Sequence, residues 1–181
     1  TPRPAIALMP VSRWETKNWP VDSFLRVGRD LSEETGGSIY VVGGPGDVET
    51  CRRVEEGIGG RTINLAGKTN LVELGSCLRE MDLVISNDSG PMHMAAALGV
   101  PTVVVFGPTY PGRTGPYGNR HRIVSAEVAC RPCFSRECRH ENCECLAGVT
   151  PERVVQTAIE LLGADENVRR IHAVNQQADL L

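Results

Sequence analysis

The chain has 181 residues, of which 41% are hydrophobic, and its 19 basic and 22 acidic side chains give a formal net charge of -3. This length can bury one core of ordinary size, and the balanced charge provides no basic field for a nucleic-acid backbone. The longest apolar runs, residues 83–86 and 100–106, are far shorter than the roughly 20 residues that cross a bilayer. We therefore predict one compact domain with no nucleic-acid partner and no transmembrane segment.

Strand and helix patterns alternate along the chain. Apolar runs without polar alternation, typical of strands covered on both faces, predict strands at residues 5–9, 38–42, 62–65, 83–86 and 102–106. Amphipathic or capped stretches predict helices at residues 21–34, 47–57, 71–81, 92–98 and 151–162. Repeated βα units form a doubly wound parallel α/β sheet, which binds its ligands beyond the carboxyl ends of the strands.

The ends and the loops of the domain carry further expectations. Because residue 1 is Thr and a buried strand follows almost at once, we expect the chain to be a piece of a longer one. Residues 110–147 have the composition of loops, and the polar tail at 164–181 fits a helical extension, a contact with another domain or a frayed end. The expected helix N-caps are Asp22 or Ser23, Asn70 and Thr150.

The most informative stretch is Ser86-Asn87-Asp88-Ser89-Gly90-Pro91-Met92-His93, which leaves a buried strand and enters a helix. The free amides of such a helix start bind phosphate oxygens. Gly90 would let the backbone come close to that anion, Ser89 can donate a hydroxyl and His93 lies one turn further on. In the competing interpretation Asp88 or Ser89 only caps the helix and His93 is a surface residue; both interpretations stay open at this point.

A second polar loop, residues 10–20, leaves the first strand at the same edge of the sheet. It contains cations and small hydroxyls, the groups that bind a diphosphate. We favour a ligand-binding role for Ser12 and Lys17, because both loops would converge on one crevice. We expect Trp14 and Trp19 to anchor the loop to the core.

Two further loops carry weaker signals. In Gly43-Gly44-Pro45-Gly46-Asp47 the spacing of a dinucleotide-binding glycine loop is absent. Asp47 or Glu49 fits the ribose hydroxyls of a nucleotide, although acids that stabilise a helix N-terminus explain both residues equally well. Leu65-Ala66-Gly67-Lys68-Thr69 could flank a flat base, or Gly67 could simply turn the chain.

Seven cysteines are divided between two settings. Cys51 and Cys77 lie in amphipathic helical patterns, where a thiol is ordinary core filling. The other five form the cluster Cys130-x-x-Cys133-x4-Cys138-x4-Cys143-x-Cys145. Four thiolates could hold a structural zinc ion, but the second half lacks the usual Cys-x-x-Cys spacing. We favour structural cysteines, reduced or disulfide-linked, over zinc, and rank catalysis last.

Four motifs together resemble the carboxyl-terminal domain of the ADP-heptose:lipopolysaccharide heptosyltransferases, particularly of the heptosyltransferase II type. They are Lys17-x-Trp19-Pro20, Leu65-Ala66-Gly67-Lys68-Thr69, Asn87-Asp88-Ser89-Gly90-Pro91-Met92-His93-x-Ala95-Ala96-Ala97-x-Gly99-x-Pro101-Thr102, and Phe106-Gly107-Pro108-Thr109-x-Pro111-x-Arg113-Thr114-Gly115-Pro116-Tyr117-Gly118. The similarity extends over about residues 5–162. It implies the C-terminal half of a GT-B glycosyltransferase with a Rossmann-like donor domain at 1–163, including a Cys-rich loop at 128–147, then an extension at 164–181 and an N-terminal acceptor domain outside this chain.

The resemblance also implies roles for individual residues. Ser12 and Lys17 would contact the diphosphate of ADP-L-glycero-D-manno-heptose with Arg13 nearby. The remaining implied donor contacts are Asp88, Ser89, Gly90 and His93 at the phosphates and heptose, Asp47 or Glu49 at the ribose, and Lys68 and Thr69 at the adenine. Lys17, Asp88 and His93 would serve catalysis. For the cysteines, the fourth position of the family pattern is Cys145, which gives Cys130, Cys133, Cys138 and Cys145 as the ligands of the zinc alternative.

The implied reaction is an inverting transfer of heptose to the lipopolysaccharide inner core, with the general base in the N-terminal domain. No cofactor is expected, since the chain contains no Asp-x-Asp pair for a metal. A cytoplasmic location is implied, with peripheral binding to the inner face of the inner membrane left open. The alternatives are a nucleotide-sugar-binding module without catalysis and a UDP-sugar enzyme, such as an epimerase, of similar architecture.

Overall fold

The computed structural model describes residues 2–140 and 142–178, with side chains described as far as residue 164. Six strands form its sheet: β1 (Ala5–Met9), β2 (Ser38–Val41), β3 (Thr62–Asn64), β4 (Leu83–Asn87), β5 (Thr102–Phe106) and β6 (His121–Ser125). The α-helices are α1 (Val21–Thr35), α2 (Val48–Ile58), α3 (Leu71–Arg79), α4 (Gly90–Ala97), α5 (Pro111–Thr114), α6 (Glu144–Ala147) and α7 (Pro151–Ala178). None of the described helices has the length and apolar character of a membrane span.

The sheet is entirely parallel, and its strand order is β3-β2-β1-β4-β5-β6. This is the order of a Rossmann fold, so the predicted doubly wound α/β class is confirmed. The chain builds outward from β1 in one direction and from β4 in the other. The loops that follow β1 and β4 therefore diverge and leave a crevice between them, where open α/β sheets bind their ligands.

Alternating side chains divide the apolar residues of each strand between two cores. On β1, Ile6 and Leu8 belong to the cluster that also contains α1 and α7 residues such as Phe24 and Ala158. Ala7 of the same strand faces the other layer, together with side chains from α3 and α4. All five residues of β1, β4 and β5 are buried, as expected for central strands covered by helices on both faces.

The helix ends test the expected caps. Asn70 accepts hydrogen bonds from the amides of Val72 (2.9 Å) and Glu73 (3.0 Å), and Thr150 accepts one from the Arg153 amide at 3.4 Å, so both N-caps are confirmed. The expectation for α1 is wrong, because its N-cap is Pro20 and Asp22 pairs with Arg53 instead.

The largest difference from the predicted elements lies in residues 110–147. This segment contains a sixth strand and two short helices, α5 and α6. Strand β6 alternates between half-buried and exposed positions at the sheet edge, and only Val124 is fully buried, so its apolar signal is weak. The tail continues as helix to Ala178, which agrees with the helical option for residues 164–178, while residues 179–181 lie outside the described residues.

Candidate functional site

The two polar loops that the sequence singled out meet at the switch point of the sheet. The first, which we call the Lys17 turn (residues 10–20), follows β1, and the second, the Asp88 turn (residues 86–90), joins β4 to α4. Since β1 and β4 are neighbouring parallel strands, both turns leave the same edge of the sheet. The predicted convergence of these turns is confirmed.

An ion pair joins the two turns. The Nζ of Lys17 lies 2.7 Å from Oδ2 of Asp88, and the side chains are only 14% and 4% exposed. The hydroxyl of Ser12 donates to the Asp88 carbonyl at 3.4 Å, and the Ser12 amide donates to Oδ1 of Asn18 at 2.6 Å. Three of the predicted site residues, Ser12, Lys17 and Asp88, are therefore in direct contact.

Two threonines that the sequence analysis did not single out hold the Asp88 carboxylate. Thr109, 1% exposed, donates its hydroxyl to Oδ2 of Asp88 at 2.7 Å, and Thr114 donates to the same oxygen at 3.2 Å. Both threonines lie after β5, within the motif that begins at Phe106. Their position beyond the carboxyl end of a neighbouring strand was the available signal. With Lys17, they place three donors on one carboxylate oxygen and so fix its position.

Asn87 fastens the Lys17 turn to the end of β4. Its side chain is fully buried, accepts the Trp19 amide at 3.0 Å and donates to the Pro10 carbonyl at 2.8 Å. Trp19 is the core anchor that the sequence predicts: it is 1% exposed, packs edge-on against Phe24 and donates its indole N–H to the Val149 carbonyl at 3.0 Å. One buried amide therefore fixes both ends of the turn.

The start of α4 is uncapped by side chains. Ser89 is the N-cap residue but makes no capping hydrogen bond; its hydroxyl lies 3.2 Å from that of Ser86. A Cβ on Gly90 would meet no protein atom within 4 Å, so packing within the protein does not require glycine there. The simple capping interpretation of Asp88 and Ser89 is therefore wrong. His93 is exposed.

Trp14 does not anchor the loop as expected. Its ring is only half-buried and carries two cations: Nζ of Lys17 lies 4.7 Å from the ring centroid, and the guanidinium carbon of Arg136 lies 4.7 Å from it. Arg13, the next cation of the turn, is exposed. An aromatic face attracts cations through its quadrupole, so Trp14 holds two cations, of which Lys17 also pairs with Asp88. The contact between Arg136 and Trp14 was not predicted from the sequence.

The predicted nucleotide-binding acids differ in what engages them. Asp47 precedes α2 and accepts the Gly44 amide at 2.8 Å, which shapes the glycine turn. Glu49 is exposed on α2 and is bound by Arg52, with 2.6 Å between Nη2 and Oε1, and this guanidinium lowers the pKa of Glu49. Asp47 is thus the better placed of the two to present a carboxylate from the turn.

The segment proposed for the base is a tight turn. Gly67 has φ +71 and donates its amide to the Gly43 carbonyl at 3.0 Å, which joins this turn to the glycine turn before α2. Lys68 donates Nζ to the Asn64 carbonyl at 2.8 Å, and Thr69 is half-buried. These residues lie at the carboxyl end of β3. Among the described residues, neither Lys68 nor Thr69 forms a hydrogen bond or an ion pair with Lys17 or Asp88.

The cysteine cluster lines a cavity of about 310 Å³ that borders the Lys17 turn at Thr16. All seven cysteines of the chain are free thiols, and the described residues contain no group of three His, Cys, Asp or Glu side chains arranged to hold a metal ion. Burial raises the pKa of Cys143 to about 11, whereas the backbone amide of His140 lowers the pKa of Cys138. Cys51 is core filling as expected, and Cys77 is half-buried.

Comparison with known proteins decides the family. The model of glycosyltransferase family 9 (heptosyltransferase) matches residues 1–144. The chain belongs to this heptosyltransferase family. Among curated relatives, lipooligosaccharide heptosyltransferase 2 of Campylobacter jejuni is 33% identical over 151 residues, which are 81% of this chain and 47% of the relative.

Two solved structures show the same architecture. The E. coli ADP-heptose lipopolysaccharide heptosyltransferase II aligns with a TM-score of 0.78 and 27% identity over 92% of this chain and 48% of its own. The E. coli heptosyltransferase WaaC with ADP aligns with a TM-score of 0.71 and 25% identity over 87% of this chain and 44% of its own. The expected resemblance to heptosyltransferases is confirmed, and this family 9 chain spans about half the length of the relatives it matches.

Proposed function

We propose that this heptosyltransferase-family chain binds ADP-heptose, as the donor half of an inverting, metal-independent enzyme that transfers heptose to the lipopolysaccharide inner core. The observation that carries the proposal is the contact between the Lys17 turn and the Asp88 turn at the switch point of the sheet. A cation, hydroxyls and an uncapped helix start are combined in one crevice, which is the donor set that a diphosphate requires.

Lys17 can bind a phosphate while it stays paired with Asp88. An ammonium group has three donors, of which one is directed at Oδ2 of Asp88. The two threonine hydroxyls keep that carboxylate in place, so the remaining donors of Lys17 keep a fixed direction. As the bond from the sugar to the β-phosphate breaks, Lys17 and the amides at Ser89 and Gly90 would stabilise the negative charge that develops on ADP. Pre-set donors of this kind need little rearrangement during the reaction.

The rest of the nucleotide is assigned by position along the strand ends. Asp47 or Glu49 would contact the ribose hydroxyls. Asp47 is favoured, because the Glu49 carboxylate is already bound by the Arg52 guanidinium. Lys68 and Thr69 would lie at the adenine, on the turn after β3. Arg13 and His93, both exposed beside the crevice, would complete the phosphate and heptose contacts.

The general base would come from an N-terminal acceptor domain. Asp88 is not assigned this role, because its Oδ2 is already engaged by donors from Lys17, Thr109 and Thr114. The same domain would hold the lipopolysaccharide acceptor. This reaction places the protein in the cytoplasm, with peripheral contact to the inner face of the inner membrane where the acceptor is anchored.

Calorimetric titration of the chain with ADP, UDP and GDP tests the donor assignment. ADP should bind at least about tenfold more tightly than the other two, a difference of about 1.4 kcal/mol. Equal affinities, or a preference for UDP, would exclude ADP-heptose as the donor. Transfer of heptose to heptose-deficient lipopolysaccharide by this chain joined to its acceptor domain, and its loss in Lys17→Ala, would distinguish the enzyme from a passive binding module.

A further inference from the structure

We infer that Arg136 is a further cationic ligand for the donor diphosphate, held on the indole of Trp14 that Lys17 also contacts. The inference rests on the proposed function, because it names a residue for the same phosphate-binding crevice. It assigns a role to the Cys-rich segment (residues 128–147), which carries Arg136. Neither the motifs nor the predicted phosphate-binding residues include this arginine.

The positive charge of Lys17 is balanced by its partner Asp88. The ammonium of Lys17 is paired with the Asp88 carboxylate at 2.7 Å, and both side chains are largely buried. The pair is neutral as a unit, so it can donate hydrogen bonds to a diphosphate but cannot by itself balance its two or more negative charges. Attraction of a polyanion into a crevice requires net positive charge at its walls. Cations beyond Lys17 are therefore needed in the crevice, of which Arg13 in the same turn is one and Arg136 is another.

The ring of Trp14 sets the position of the Arg136 guanidinium. Both cations contact the Trp14 ring, since Nζ of Lys17 and the guanidinium carbon of Arg136 each lie 4.7 Å from the ring centroid. Cation–π contacts of this length hold a guanidinium in place without using its hydrogen-bond donors. Arg136 is therefore held at the ring that Lys17 also contacts, and no acceptor among the described residues forms a hydrogen bond with its N–H groups.

Hydrogen bonds anchor the backbone on either side of the crevice. The segment that carries Arg136 is fixed to both sides of the crevice, although it is far from the Lys17 turn in sequence. The Thr16 hydroxyl donates to the Ser135 carbonyl at 2.9 Å, directly beside Lys17 and Arg136. On the other side, the amides of Cys133 and Phe134 donate to the Pro108 carbonyl at 3.0 Å, next to Thr109. These contacts hold the Arg136 backbone in register with the Lys17–Asp88 pair.

The guanidinium of Arg136 is suited to binding a phosphate. Arg136 is exposed, and no carboxylate among residues 2–140 and 142–164 forms a salt bridge with it. A guanidinium presents a planar fork that matches two phosphate oxygens, and it stays charged at all physiological pH values. Arg139, three residues further along, is also exposed but makes none of the contacts to Trp14. It is therefore a matched control within the same segment.

The test is calorimetric titration of ADP and AMP into wild type, Arg136→Ala and Arg139→Ala, with thermal midpoints measured as a check on folding. Arg136→Ala should weaken the binding of ADP about tenfold, which is the loss expected for one charge-assisted hydrogen bond. AMP, which lacks the β-phosphate, should be affected much less. Arg139→Ala should bind ADP like wild type. Arg136→Lys should give an intermediate affinity, because it keeps the charge without the fork.

A double-mutant cycle with Trp14→Leu supplies the second readout. If the indole positions Arg136, the losses of ADP affinity in Trp14→Leu and Arg136→Ala will be less than additive. Equal ADP affinities for wild type and Arg136→Ala would overturn the role of Arg136 while leaving the donor assignment intact. Failure of wild type to bind ADP would instead reject the proposed function. Equal losses in Arg136→Ala and Arg139→Ala would indicate general charge attraction and also overturn the inference.

Discussion

Lys17 and Asp88 form a nearly buried ion pair, with 2.7 Å between Nζ and Oδ2, that connects the turn after β1 to the turn after β4. Taking both charges out of water is unfavourable, and their attraction offsets that cost only when further hydrogen bonds stabilise them. Thr109 and Thr114 provide those bonds on the carboxylate side. We therefore expect the stability of this edge of the sheet and the proposed binding of the donor to depend on the same few atoms.

Removing one partner of the pair should cost more than removing both. Lys17→Met leaves the Asp88 carboxylate buried without a cation, so we expect a loss of about 3 kcal/mol in the free energy of unfolding. The double variant Lys17→Met/Asp88→Asn should recover most of that stability but not ADP binding, which requires the ammonium. Urea unfolding and ADP titration of both variants separate the two effects. A double variant as unstable as Lys17→Met would contradict this account.

Thr109 should act through Asp88 rather than on the ligand. Thr109→Val keeps the shape of the side chain but removes a 2.7 Å hydrogen bond to a buried carboxylate, for which we expect about 1 to 3 kcal/mol of lost stability. ADP should also bind several-fold more weakly, because Lys17 loses its fixed partner. Thr109→Ser restores the hydroxyl and should recover both properties; without this rescue, only the packing of the threonine methyl group would matter.

Asn87 should be required for folding of the site. In Asn87→Ala the Trp19 amide and the Pro10 carbonyl lose their buried partner, and each unsatisfied group costs about 1 to 3 kcal/mol. We expect the free energy of unfolding, measured with urea, to fall by about 2 to 6 kcal/mol. Asn119→Ala, at an exposed position, should change stability by less than about 0.5 kcal/mol. Comparable losses of stability in Asn87→Ala and Asn119→Ala would contradict the role of Asn87 in fastening the Lys17 turn.

The cysteines should differ in their reaction with an alkylating reagent. The thiolate is the reactive form, and the His140 amide lowers the pKa of the exposed Cys138 thiol, whereas burial raises the pKa of Cys51 to about 12. At mildly alkaline pH, Cys138 should therefore be modified much faster than Cys51. Mass spectrometry of timed samples gives the order of modification, and the difference should disappear in denaturant. A fast reaction of Cys51 in the folded protein would refute the assigned burial.

Local patterns predicted the elements of the central sheet well. The uninterrupted apolar runs at β1, β4 and β5 were sufficient, because strands covered on both faces have no polar alternation. The cap at Asn70 was also readable, since its two hydrogen bonds lie within three residues. Strand β6 was missed because it lies at an edge and pairs with β5 alone, so its side chains carry little apolar signal.

The predicted meeting of the two turns was correct, because strand order alone brings them together. Ser12, Lys17 and Asp88 follow adjacent strands of a Rossmann sheet, and their convergence follows from that order. Thr109 and Arg136 were missed for a different reason. A hydroxyl or a guanidinium has no periodicity that marks its partner, and the loop that carries Arg136 could cross the crevice on either side.

The sequence by itself determined the fold class and the family, because hydrophobic periodicity and motif order are properties of the chain taken a few residues at a time. The tertiary structure decided which charges are paired: Lys17 with Asp88, Asp88 with two threonines, and Arg136 with Trp14. The physical reason is range. Backbone propensity acts between near neighbours in the chain, whereas Coulomb and hydrogen-bond energies depend on separations of a few ångströms in space, and only the packed sheet sets those separations.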